Sequence, residues 1–99
     1  MNFDGIKKEL KEKLGNHCCY FRDRVHCFTI CDDIINDVVA RIMQFNGDTN
    51  YFLVEFEFNQ NGSNLKNTKK YRSVDDFVSD FIDNKSNERK RKNLQFYNV

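Results

Sequence analysis

Histidine and cysteine carry the most reactive side chains in this sequence, and they lie close together. Both His and all four Cys fall between positions 17 and 31. If the chain turns back through residues 22–24, Cys19 faces Cys27 and one side of the hairpin collects four donors that suit a tetrahedral Zn²⁺ ion. These candidate metal ligands are His17, Cys19, Cys27 and Cys31.

The spacing of these residues also has a simpler interpretation. It lacks the paired C-x₂-C knuckles of zinc ribbons, and free cysteines commonly pack as small apolar side chains. A thiol nucleophile would need Cys18 or Cys27 beside a His in a partly exposed pocket. The sequence therefore favours packing of these cysteines in the core and predicts no bound cofactor. A small zinc-binding domain is the second alternative.

Carboxylates form another group of candidate residues. Residues 32–57 carry six acidic side chains and one basic one, and residues 73–84 carry four acidic side chains and no basic one. They can act as helix caps, but if two helices place them on one face, that face could mimic a nucleic-acid backbone or fill a basic groove. The candidate acidic binding residues are Asp32, Asp33, Asp37, Asp75, Asp76, Asp80 and Asp83.

Basic residues collect in the second half of the chain, where aromatic residues are interleaved with them. Residues 58–72 carry four basic side chains, and residues 85–99 carry five against one Glu. Cations next to aromatic rings are suited to contacting phosphates and stacking bases. The alternative function is therefore nucleic-acid binding through the basic C-terminal run, with Lys69, Lys70, Arg72, Arg89, Lys90, Arg91 and Lys92 as candidates.

Periodicity predicts the elements that position these groups. Phe3, Ile6, Leu10 and Leu14 form one stripe, which predicts a helix over 3–14. Residues rich in Tyr, Phe, Val, Thr and Ile predict a hairpin, and a clean alternation predicts a strand that pairs back across a polar turn. Ser73 is suited to cap a last helix. These elements cover 17–22, 25–31, 51–59, 65–72 and 73–84.

Residues 32–45 allow two interpretations. On a helical wheel the apolar residues fall in one half and the polar ones in the other, which predicts a helix over 33–45. The high content of β-branched residues and the Asn46-Gly47 pair predict instead a strand over 38–45 that enters a hairpin. Periodicity is the stronger of the two signals, so the helix is favoured.

Together these elements predict an α+β fold. One core is all that 99 residues with ten Phe can build, so we expect a single domain with an antiparallel sheet of about four strands and two or three helices. Residues 85–99 form a basic tail or a docked terminal segment. The charged N-terminus and the short apolar runs predict a cytoplasmic protein that does not enter a membrane.

Function is expected to reside in binding. The sequence has no P-loop, G-x-G-x-x-G, G-x-S-x-G or H-E-x-x-H motif, and a formal net charge of +1. We therefore expect a non-enzymatic interaction protein that inhibits or occludes a larger protein or ribonucleoprotein through acidic and aromatic surface. In type it resembles the small anti-defence proteins of phages and mobile elements, such as anti-CRISPR proteins, and its Asn- and Lys-rich composition suggests an AT-rich genome.

Overall fold

Helix α1 (Phe3–Leu14) begins the computed structural model, which describes residues 1–17, 19–32, 38–60 and 63–84. The side chain of Asn2 caps it by accepting a hydrogen bond from the Gly5 amide at 2.7 Å. Its apolar stripe is buried at Ile6, Leu10 and Leu14. The predicted helix over 3–14 is confirmed.

Five strands form one antiparallel sheet in which every strand pairs with its neighbour in sequence. This is one strand more than the sequence predicted, and both predicted hairpins are present with the ends of their strands shifted by one or two residues. The strands are β1 (Cys19–Asp23), β2 (Cys27–Asp32), β3 (Val38–Met43), β4 (Phe52–Gln60) and β5 (Ser63–Tyr71).

The predicted helix over 33–45 is wrong where the structure describes it, because residues 38–43 form β3. This strand lies between β2 and β4, which satisfy its backbone groups on both sides. Ala40 and Ile42 are fully buried, and β-branched side chains fit the pleated surface. Residues 33–37 of the predicted helix lie outside the described residues.

The first hairpin turns later than predicted. The Arg24 amide donates to the Cys27 carbonyl at 2.9 Å, so the turn lies over 24–26 instead of 22–24. As a result Cys19 lies opposite Asp32, and the predicted pairing of Cys19 with Cys27 is wrong.

Helix α2 covers residues 74–84 of the described chain. Its amide at Asp76 donates to the Ser73 hydroxyl at 3.3 Å, which confirms the predicted cap. Phe77 and Phe81 are fully buried, and the Phe77 ring belongs to an aromatic cluster between α2 and the sheet. The other cluster rings in contact with Phe77 are those of Phe52, Phe56, Tyr71 and Phe81.

Both helices pack on the same face of the sheet, because their buried residues belong to one continuous core. An ion pair between Lys13 of α1 and Asp75 of α2 joins them at the surface. Neither helix in the described part of the chain is long and apolar enough to cross a bilayer. The fold is α+β: an antiparallel sheet with two helices on one side.

Candidate binding surface

The face of the sheet that points away from the helices is the outer face. Side chains alternate along each strand, so the residues between the core positions point to this side. No helix of the described chain covers it. Its residues, read from the strand registers, are Tyr20, Arg22, Cys27, Thr29, Cys31, Val39, Arg41, Met43, Leu53, Glu55, Glu57, Lys66, Thr68 and Lys70.

Arg41 lies at the centre of the outer face and forms ion pairs with two carboxylates of β4. Its guanidinium is 3.3 Å from Glu55 Oε1 and 2.6 Å from Glu57 Oε2. Burial lowers the pKa of Arg41, but the hydrogen bond to Glu57 and the charges of both carboxylates outweigh it, so the pKa is raised. The centre of the face is thereby fixed in geometry, and one guanidinium against two carboxylates leaves it with one net negative charge.

An apolar patch lies beside this ion-pair network. Met43, Tyr51 and Leu53, which we call the outer patch, are 38%, 43% and 40% exposed. They line a shallow depression of about 140 Å³ together with residues of the β3–β4 connection. The Lys70 ammonium lies over the Tyr51 ring, 4.2 Å from its centroid. The outer patch therefore has an apolar centre and a charged border.

The predicted metal ligands do not share a face. Cys19 lies on the helix side, where its thiol donates to the Leu14 carbonyl at 3.2 Å, whereas Cys27 and Cys31 lie on the outer face. Among the described residues, no three His, Cys, Asp or Glu side chains are placed to hold one metal ion. The arrangement on which the zinc prediction depended, with His17 and three cysteines on one side, is therefore wrong.

The acidic surface predicted from the sequence depended on two helices, and the described residues contain only the second of them. Asp33 and Asp37 lie outside the described residues, and Asp32 ends β2 instead of beginning a helix. The other four predicted residues, Asp75, Asp76, Asp80 and Asp83, are all on α2.

Two of the four α2 carboxylates have structural partners. Asp75 pairs with Lys13, and the hydrogen bonds that the Lys13 ammonium donates to Asp75 and Glu9 raise the pKa of that lysine. Asp80 accepts a hydrogen bond from the Tyr71 hydroxyl at 2.8 Å and lies 3.8 Å from the Lys69 ammonium. Within the described part of the chain, Asp76 and Asp83 have no ion-pair partner, so they are the acidic side chains of α2 that remain for binding.

Only some of the predicted basic residues lie in the part of the chain that the structure describes. Lys69 and Lys70 lie on β5, Arg72 follows that strand, and all three are exposed. The remaining predicted residues, Arg89, Lys90, Arg91 and Lys92, lie outside the described residues.

Sequence reasoning missed the outer patch and Arg41. Tyr51 directly precedes β4, and Leu53 shares a face of that strand with Glu55 and Glu57. Apolar residues at the otherwise polar positions of the alternating pattern could have indicated this patch from the sequence. Arg41 was assigned to the polar side of a helix, so its position beside β4 was not foreseen.

Comparison of this chain with protein-family models, with curated proteins and with solved structures found no significant match.

Proposed function

We propose that this chain is a non-enzymatic interaction protein that binds a larger protein or a ribonucleoprotein and occludes part of its surface. The observation that supports this most is the outer patch, where Met43, Tyr51 and Leu53 are exposed side by side. Protein interfaces characteristically combine an apolar centre that contains aromatic side chains with a polar rim. The outer patch and its border have this composition.

The partner's chemistry follows from the border of the outer patch. Lys70 is paired in register with Leu53, and Lys66 with Glu57, so the edge of the patch towards β5 is cationic. On the opposite side Arg41 offsets one of the two carboxylates that it contacts, so one net negative charge remains there and the cationic border is on the β5 side alone. We therefore infer a partner surface with an apolar projection bordered by acidic residues.

The acidic side chains of α2 are a second proposed contact. Reversing the charge of Asp75 or Asp80 would also break its contact with Lys13 or Tyr71. In those variants an effect on binding could not be separated from an effect on folding. Reversal of Asp76 and Asp83 leaves both of these contacts intact.

The kind of inhibitor is proposed on composition and size alone. A short chain rich in Asn and Lys, with an exposed binding surface, is of the anti-defence type that phages and mobile elements encode. The cytoplasm of a host cell is the compartment in which such a protein would act.

The test is to isolate the partner and measure its binding to matched variants. The tagged protein retains a partner from lysate, mass spectrometry identifies it, and the purified pair is titrated by calorimetry. Met43→Lys with Leu53→Lys should weaken the reconstituted complex at least about tenfold, because it places two charges in the apolar centre. Asp76→Lys with Asp83→Lys tests the second contact in the same assay.

Val25→Lys is the matched control, because Val25 is an exposed apolar residue outside the patch. It should bind like the wild type, and circular dichroism should show all variants folded. A reconstituted complex that is insensitive to the Met43 and Leu53 changes would contradict the proposal.

A further inference from the structure

Strand β5 forms one edge of the sheet. Ser63–Tyr71 pairs with β4 on one side, and within the described chain no strand pairs with its other side. Residues 65–70 are all exposed. Such an edge presents a row of backbone donors and acceptors to which an extended chain can add as a further strand.

The charge of this edge is of one sign. Lys66, Lys69 and Lys70 lie on the strand, Arg72 follows it, and the strand contains no acidic residue. Lys66 and Lys70 point to the outer face and Lys69 to the helix side, so cations border the edge on both faces.

The intramolecular contacts of these cations leave them accessible. The Lys69 ammonium is 3.8 Å from Asp80 with about half of its side chain exposed, and Lys66 has no ion-pair partner among the described residues. Exposed pairs of this length contribute little to stability. A ligand can therefore recruit these ammonium groups at small cost to the fold.

Lysines on an edge strand also discourage edge-to-edge aggregation. A second β5 would bring the same charges into contact, so self-pairing of this edge is disfavoured. The repulsion does not apply to an acidic strand, for which the same lysines are attractive. The lysines of β5 thus disfavour pairing of this edge with a second β5 and favour pairing with an acidic strand.

Nucleic acid is the less suitable polyanion for this edge. Base stacking needs an open aromatic face, and the exposed ring beside Lys70, that of Tyr51, has the Lys70 ammonium over it at 4.2 Å. The rings of Phe52 and Phe56 on β4 are buried on the helix side.

We infer that the free edge of β5 binds an extended acidic segment of the partner protein by strand addition. The inference deepens the proposed function, on which it rests for the protein nature of the partner. The segment pairs its backbone with β5, and its carboxylates contact Lys66, Lys69 and Lys70.

The test uses a synthetic nine-residue peptide in which Glu alternates with Thr, with capped ends. A second peptide has the same sequence with alternate amides N-methylated, which removes backbone donors and keeps every charge. A single-stranded thymidine oligonucleotide of comparable charge is the third probe. Each is titrated at about 20 mM salt, where surface charges are weakly screened, and exchange of the amides of 65–70 is followed by NMR.

We expect the unmodified peptide to bind and to slow amide exchange within 65–70. Lys66→Glu with Lys70→Glu should weaken binding about tenfold or more, and N-methylation should weaken it by a similar factor. Lys8→Glu with Arg24→Glu, the control with the same change in charge at exposed sites elsewhere, should bind like the wild type apart from a small uniform loss.

Three results would overturn the inference: no peptide binding to the wild type, equal binding of the N-methylated peptide, or preference for the oligonucleotide. These failures are distinct from failure of the proposed function. If the peptide does not bind while a complex sensitive to Met43 and Leu53 forms, only the strand addition is wrong. If the peptide binds but no partner depends on the outer patch, the proposed function is wrong.

Discussion

A single hydrogen bond between Tyr71 and Asp80 connects the end of β5 to the middle of α2. The Tyr71 ring is buried in the aromatic cluster, whereas Asp80 is partly exposed. Burial raises the pKa of the Tyr71 phenol, and the hydrogen bond and charge of Asp80 raise it further. The neutral phenol is therefore the form that stabilises the fold.

Tyr71→Phe should lower the free energy of unfolding by about 1.5 kcal/mol at neutral pH, since a hydrogen bond to a charged acceptor is lost. The difference should be constant below pH 10, the ordinary pKa of the phenol, and shrink as pH rises above it. Above pH 10 the unfolded state ionises first, which favours unfolding of the wild type but not of the variant. Urea denaturation of both proteins across this range measures the effect, and a difference that grows with pH would contradict it.

Cysteine shows what the sequence could and could not predict about single residues. Clustering of His17 and the cysteines was visible in the sequence, but the position of the turn decided which side each thiol faces. Cys19 lies opposite Asp32 instead of Cys27, so the pairing is shifted by an odd number of residues. Side chains alternate along a strand, and an odd shift therefore places Cys19 and Cys27 on opposite faces. Core packing, the simpler interpretation, describes Cys19 correctly.

At the level of elements, amphipathic segments with one solvent-facing side were predictable. Helix α1 and strand β4 have periodicities that only one structure satisfies, and both were predicted within a residue or two. The sequence did not favour a strand over 38–43, because β3 is central in the sheet and carries apolar residues on both faces. An apolar run without alternation fits a helical wheel equally well, and its pairing with β2 and β4, which lie outside the run itself, decides between helix and strand.

The cap of α2 gives a prediction at this scale. Ser73→Ala removes the hydroxyl that accepts from the Asp76 amide, so we expect the free energy of unfolding to fall by about 1 kcal/mol. Ser79→Ala is the matched control, because Ser79 is exposed within the same helix and Ala has the higher helix propensity there. Thermal and urea melts compare the two, and an equal effect of both changes would show that the cap has no energetic role.

For the whole molecule, one face of the sheet was predictable and the other was not. The sequence predicted burial of the Phe-rich side under helices, although one of the three expected helices, over 33–45, is a strand at Val38–Met43. The functional surface proposed here depends on which residues adjoin across strands on the outer face, such as Arg41 beside Glu55, and no local pattern contains that information. The loss of a predicted acidic helix also moved the candidate site from the helices to the sheet.

Hydrogen exchange should report this organisation across the molecule. We expect the slowest amides in β3, which has strands on both sides and lies over the core, and the fastest strand amides in β5 at residues 65–70. NMR exchange of the unbound protein measures both sets. Equal protection of β3 and β5 would mean that the edge of β5 is covered and closed to strand addition.

The consecutive order of the strands has a consequence for how the molecule forms. Each strand pairs with the strand that precedes it in the sequence, so Val38–Met43 is synthesised before its partner Phe52–Gln60. Local pairing lowers the entropy lost in closing each loop and favours fast folding. The sheet is therefore suited to assemble hairpin by hairpin during synthesis, with the basic edge strand added last.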